Sequence, residues 1–370
     1  MGKLTSRKLL LWFVFVCALA LLVGGIQDYH AYQIQWQLIL DGKNPWLDFT
    51  EINQKNAYGP MFNALAVFYW IHPMLPKLLF IGVWFAAAIT LIRDLSPGRV
   101  REGVLFLLLS LFFLVEQIGF GHFDILVAAA MLFGLRAYMK DRDVRAAGFF
   151  ATAITLKFYP LVTLPFLAFD QRGRVRYRFL GLTFFFVALI FAIAWLIWGN
   201  SIWDPFTFAA GREARQLSIF KFLSADDSVL KKLGVDIPLS LWKPTLLLAG
   251  GFTFFCHLKR RLRPEQACLA ALMITFLIYP AGHHQFQAVL FFLVFVSAEP
   301  LHPAWRRYLQ FLGIYTLLFG ITDGFRRFDL SWAYNVITPL AFVLGILAWR
   351  ASLTYKVGSG KSDEKLTPST

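Results

Sequence analysis

Apolar residues in this chain come in long runs, separated by short polar breaks. Residues 9–26 form the first run, 78–92 the second, and 179–198 the clearest. A helix needs about 20 apolar residues to cross about 30 Å of hydrocarbon. No run alternates with period two, so helices are expected rather than barrel strands, since lipid leaves an open backbone unpaired. Continuing the series gives roughly ten spans, at 9–26, 78–92, 104–118, 125–138, 179–198, 245–258, 267–279, 286–297, 309–321 and 336–348. The predicted fold is an all-α, polytopic transmembrane bundle. No small-residue cleavage site follows the first run, so it reads as an uncleaved anchor.

One segment departs from the series. Residues 146–169 lie between two basic stretches, and Lys157-Phe158-Tyr159-Pro160 interrupts their middle. A single span there would invert every later loop. Proline breaks helices, and irregular backbone at membrane depth is tolerated only where protein or a wet cavity covers it. Two short half-helices forming a re-entrant hairpin around Lys157 are therefore expected. Residues 61–74 are too short to span and read as a helix lying in the interface or as core packing.

Charge orients the chain. Lys3, Arg7 and Lys8 precede the first run, which puts the N-terminus in the cytoplasm. By this assignment 24 of the 36 Lys and Arg fall inside and 12 outside, although the outer loops 27–76 and 199–243 are the longer ones. Residues 1–357 read as one membrane domain, and 358–370 as a disordered cytoplasmic tail. The net charge of +14 does not point to nucleic acid, because the basic residues punctuate apolar runs instead of covering a soluble module. Only 16% of residues are charged, well below the roughly 25% of soluble domains, so the bilayer is the first partner. Cys17, Cys256 and Cys268 have no metal-like spacing and read as small apolar fillers. No metal and no cofactor is expected, and no G-x-S-x-G or H-E-x-x-H suggests a hydrolase.

With this topology the unusual polar residues gather on the outer face. They are Asp28 with Tyr29, His122 with Asp124, Lys157, Arg212 and Arg215, the pair His283-His284, and Arg326 with Arg327. Ionisable groups at membrane depth are costly and usually functional. Each also has a plain structural reading. Asp28 reads equally as a helix N-cap and as a catalytic group. Lys157 is either functional or a snorkelling lysine. His122 and Asp124 favour holding a turn. The His pair and the two late arginines divide evenly between site and surface.

The order of short motifs resembles the polyprenol-phosphate-mannose-dependent mannosyltransferases of glycosyltransferase family 87, in the GT-C superfamily. Asp28-Tyr29, Gly42-Lys43-Asn44-Pro45-Trp46 and Tyr58-Gly59-Pro60 are similar to the family's first outer loop. Gly121-His122-Phe123-Asp124 is similar to its Gly-Gln-x-Asn turn. Leu156-Lys157-Phe158-Tyr159-Pro160 is similar to its Lys-x-x-Pro segment, and Pro280-Ala281-Gly282-His283-His284 to its Ser-Pro…His-His segment. The departures are Trp46 for Tyr, Gly59 for Pro, His122 and Asp124 for Gln and Asn, and the missing Ser before Pro280.

The resemblance implies a GT-C-type bundle with chemistry on the extracytoplasmic face. It implies a polyprenyl-phosphate sugar donor, most simply of mannose, and a glycan or glycolipid acceptor. Asp28 takes the position of the catalytic base, with His283 and His284 beside it. One carboxylate suffices to deprotonate an acceptor hydroxyl. Lys157, Arg212, Arg215, Arg326 and Arg327 are the candidates to hold the phosphate leaving group. Tyr29, Tyr58, His122, Asp124 and Tyr159 are the candidates to bind or position substrate. A single displacement would invert the anomeric centre. The rival reading is a transporter or flippase of lipid-linked sugars, which would carry its ionisable groups near the midplane and often show repeats.

Overall fold

A computed structural model describes residues 6–25, 28–46, 56–169, 173–296, 300–322 and 327–354. Arg326 and the expected tail at 358–370 lie outside the described residues. Among those described, the regular secondary structure is all helical, joined by turns and loops, apart from one isolated bridge between Phe169 and Val175.

Five helical stretches are long and apolar enough to cross a membrane: Leu75–Asp94, Val100–Phe120, Tyr177–Ala210, Leu239–Arg260 and Tyr334–Thr354. Arg7–Val23 and Asp28–Leu40 make a sixth only if taken together, and they meet at 77°. Ten spans were expected from the apolar runs, and the difference has a local cause. The run at 286–297 forms only the six-residue helix Ala288–Leu293, about 9 Å long at 1.5 Å per residue. The run at 267–279 lies in the 15-residue helix Pro264–Ile278, buried from Glu265 to Ile278. A helix that is apolar all round belongs inside a bundle as readily as inside a bilayer. By contrast, Tyr177–Ala210 and Leu239–Arg260 leave residues such as Leu196 and Leu247 three-quarters exposed, a surface suited to lipid.

The core is built around Asp124–Met139, which packs against Asp143–Leu156, Leu75–Asp94 and Ala288–Leu293. Small residues at the crossings let these helices approach. A Cβ on Gly134 would meet the Phe150 ring at 2.9 Å.

The interruption at Lys157 lies where the proline predicts it. Helix Asp143–Leu156 ends there, Lys157 is extended (φ −157°, ψ 137°), and the chain resumes as the tight turns Tyr159–Thr163 and Leu164–Leu167. The Gly59 N–H caps the broken end by donating to the Leu156 carbonyl at 3.1 Å. A Cβ on Gly59 would lie 2.1 Å from the Thr155 carbonyl oxygen, so the approach requires glycine. Residues 60–71 form two short helices, Pro60–Asn63 and Ala66–Ile71, beside this junction.

Candidate active site

Asp28 is the first residue of helix Asp28–Leu40, where the positive end of the helix dipole favours a carboxylate. Tyr32 and Trp36 on this helix pack against Phe62, Tyr29 packs against Trp36, and Tyr32 also packs against Tyr58 and Phe123. The Tyr29 hydroxyl donates to the Pro73 carbonyl at 2.8 Å and accepts from the Lys77 N–H at 3.2 Å. These contacts fix where Asp28 points.

Asp28 Oδ2 faces His122 Nε2 at 2.9 Å and accepts a long bond from the Gln285 amide at 3.4 Å. His122 Nδ1 lies 2.6 Å from Glu116 Oε2. The other oxygen of Glu116 binds His284 Nδ1. The result is a chain of alternating groups, Asp28–His122–Glu116–His284, contributed by three segments, since Glu116 and His122 belong to one helix end and its turn. Its exposure is uneven. The side chains of His122, Glu116 and His284 are at most 4% accessible, whereas that of Asp28 is 32% accessible. Of the four groups, Asp28 is therefore the one a substrate can reach. Among the described residues, its Oδ1 carries no hydrogen bond.

Both ring nitrogens of His122 face carboxylates, so the imidazolium, with two N–H donors, fits the geometry. Burial opposes its charge, but the Glu116 charge and the hydrogen bonds to Asp28 and Glu116 outweigh burial and lift His122 to about 10.

Backbone geometry places this turn. Glu116 lies in a widened helical stretch, Leu114–Phe120, of the kind often found at functional sites. Gly121 follows with φ +65°, and the N–H groups of Gly121 and His122 both donate to the Glu116 carbonyl. A Cβ at Gly121 would lie 3.1 Å from both Lys77 and Tyr29. Lys77, fully buried, donates through Nζ to the carbonyls of Gly24 (2.7 Å), Ile118 (2.8 Å) and Gly119 (3.2 Å). One ammonium thus joins the turn before Asp28 to the turn before His122.

The cations form a second group. Lys157 Nζ is held by both oxygens of Asp124, at 2.7 and 2.9 Å, and lies 3.8 Å from the centre of the Phe286 ring. The strap carrying Arg212 and Arg215 is hydrogen-bonded to the histidine turn, from the Arg215 N–H to the Pro280 carbonyl (2.8 Å) and from the Leu217 N–H to the Gly282 carbonyl (3.3 Å). A Cβ at Gly282 would lie 2.5 Å from the Ser218 nitrogen, so this docking also requires glycine. His283 turns toward the cations while His284 turns toward Glu116. Burial, then Arg212 and Arg215, hold His283 well below the ordinary imidazole range. The charge of Arg212 also reaches Tyr58 and Lys157. Among the described residues, the buried His283 Nε2 and Tyr159 hydroxyl have no hydrogen-bond partner, and both rings pack on Phe286.

The sequence candidates therefore sort into groups. Asp28, His122 and His284 meet directly. Lys157, Asp124, Tyr58, Tyr159, His283, Arg212 and Arg215 adjoin them. Tyr29 is a support, its hydroxyl tied to backbone. Arg327 stacks over Phe328 and joins none of these contacts among the described residues. Sequence reasoning missed Glu116, Lys77 and Gln285. For Glu116 a signal existed: a carboxylate inside an apolar run is costly enough to demand a reason.

Chemically, the arrangement offers one reachable carboxylate backed by a buried imidazolium, beside a cationic, aromatic-lined wall. The pattern of glycosyltransferase family 87 matches residues 56–281, more than half of the chain. No curated protein matches it.

Proposed function

We propose, from the premise that this chain belongs to glycosyltransferase family 87 and is a membrane glycosyltransferase, that its donor is a sugar on a polyprenyl phosphate and its catalytic base is Asp28. Mannose is the sugar the family resemblance favours, and the acceptor is a hydroxyl of a glycan or glycolipid. The observation that carries this reading is the single accessible carboxylate of Asp28, anchored through Oδ2 by His122.

The acceptor hydroxyl gives its proton to Asp28 Oδ1 as its oxygen attacks C1 of the sugar. The bond from C1 to the phosphate oxygen breaks, and polyprenyl phosphate leaves with the electron pair. One displacement inverts the anomeric centre, so a β-linked donor yields an α-linked product. His122 holds Asp28 in place and balances its charge before the proton arrives. Arg212, Arg215 and Lys157 stabilise the growing negative charge on the phosphate, with His283 and Tyr159 as neutral hydrogen-bonding groups. No second carboxylate is required at the sugar, since the donor is already activated, unlike a glycoside.

In this reading the site lies on the extracytoplasmic face with the termini in the cytoplasm, and a re-entrant turn at Lys157 lines the groove for the polyprenyl chain. Transfer of radiolabelled mannose from polyprenyl-phosphate-mannose is the direct test, in membranes holding wild type or Asp28→Asn at equal abundance. Transfer by wild type alone supports the assignment. Equal transfer by both removes Asp28 as base. Transfer by neither removes this donor.

A further inference from the structure

Helices Pro303–Ile321 and Tyr334–Thr354 pack together and border an open recess of roughly 340 Å³. It lies far from Asp28. Arg306, beside it, pairs with Glu102 at 2.6 Å, and Glu102 sits one span-length from Glu116, roughly 20 Å along the helix. Arg260, at the same end, donates to the Leu353 carbonyl at 2.8 Å.

The recess is lined by His302 and Arg307 from one wall and by Leu344, Leu347 and Arg350 from the other. Several arginines at this end do structural work. Arg99, Arg136, Arg176 and Arg306 each pair with a carboxylate. Arg307 and Arg350 are exposed, and neither pairs with a carboxylate among the described residues. Below Arg350 runs a stripe of exposed apolar side chains on one helix face, Leu347, Val343, Leu340 and Val336, at spacings of four, three and four. On the other helix Ile314, Leu318 and Ile321 are similarly exposed. Two guanidinium groups without a carboxylate partner among the described residues, above an apolar stripe, match a molecule with an anionic head and long acyl chains. Basic pockets between membrane helices recognise such headgroups.

We propose that this recess is a binding site for an anionic glycerophospholipid, with its phosphate between Arg307 and Arg350 and an acyl chain along Leu347, Val343 and Leu340. It is separate from the transfer site, and its occupant is not consumed. A free phosphate would engage the arginines alone and gain nothing from the stripe.

Native mass spectrometry of the full chain in detergent tests this, with phosphatidylglycerol, phosphatidylcholine of the same acyl chains, and inorganic phosphate as probes. Phosphatidylglycerol should stay bound at collision energies that strip phosphatidylcholine. Arg307→Gln with Arg350→Gln should weaken it roughly 30-fold, the attraction usual for two basic side chains at an anionic surface. Arg142→Gln with Arg145→Gln, which removes the same charge elsewhere, should leave it unchanged. Equal retention of both lipids by wild type overturns the proposal without any variant. So does unchanged phosphatidylglycerol binding in the Arg307/Arg350 pair, or inorganic phosphate reaching the same occupancy.

Discussion

Asp28 and Glu116 bind opposite nitrogens of one imidazole, that of His122, at 2.9 and 2.6 Å. The accessible carboxylate is thereby oriented by a buried one. Asp28→Asn keeps the shape but loses the basicity, and should cut transfer by about 10²–10⁴-fold, the range of general base catalysis. Glu116→Gln leaves Asp28 in place but loosens His122 and His284 together. It should lower kcat by roughly 10²-fold with little change in donor KM, because the loss falls on the proton transfer step. Steady-state kinetics of the two variants check both. A raised donor KM with normal kcat in Glu116→Gln would count against this division of roles.

His122 predicts a pH dependence of stability. Its folded value is raised from the ordinary 6.5 to about 10 by Glu116 and Asp28, against the opposing effect of burial. A raised value means that the folded state binds the proton more tightly than the unfolded chain does. The stabilisation is therefore complete below about pH 6.5, and it declines as pH rises through the folded value near 10. Melting temperature of the wild type should fall across that window. His122→Gln should flatten that part of the fall. An identical fall in the variant would remove His122 as its source.

Lys157 and Asp124 form a buried pair, with side chains 8% and 1% accessible. Lys157→Met leaves the Asp124 carboxylate uncompensated and should cost about 3–5 kcal/mol, the usual result of breaking a buried pair. Adding Asp124→Asn should restore stability without restoring transfer, if Lys157 also holds the phosphate. Abundance and melting temperature measured beside activity separate the two roles. A double variant with full activity would make the pair purely structural.

Gly282 allows the arginine strap to lie on the histidine turn. Gly282→Ala should push the strap away, since the added carbon would meet the Ser218 backbone at 2.5 Å. Arg212 and Arg215 then move off His283 while Asp28 stays in place. Donor KM should rise several-fold, more than kcat falls. The split between the two constants is the measurement, and a pure kcat defect would contradict the assignment of the strap to the donor phosphate.

The legible part of the fold was local. Long apolar runs announce helices for lipid, and Pro160 beside Lys157 announces the interruption at that point, because hydropathy and the missing proline N–H act on the residues themselves. The span count was less legible. The runs at 267–279 and 286–297 have the composition of membrane helices, but the helices they form are buried in the bundle core. Apolar composition reports burial and does not tell protein from lipid.

The same division holds for the site. Asp28, His122 and His284 stood out along the chain as polar residues at apolar boundaries, where charge is costly. Their partner Glu116 carried the cost of a carboxylate inside an apolar run, but nothing along the chain pointed to its partners. Its bond to His284 joins positions 168 residues apart, and Asp28 meets Gln285 across 257. Such pairs depend on how each helix is rotated against its neighbours, on glycines at 59 and 282 that let backbones approach closely, and on Gly121, which makes room for the Lys77 and Tyr29 side chains. Spacing along one chain carries the period of a helix but not its rotation against another. Which polar residues were candidates for the site was therefore readable from the order of residues, and which of them touch was decided by packing alone.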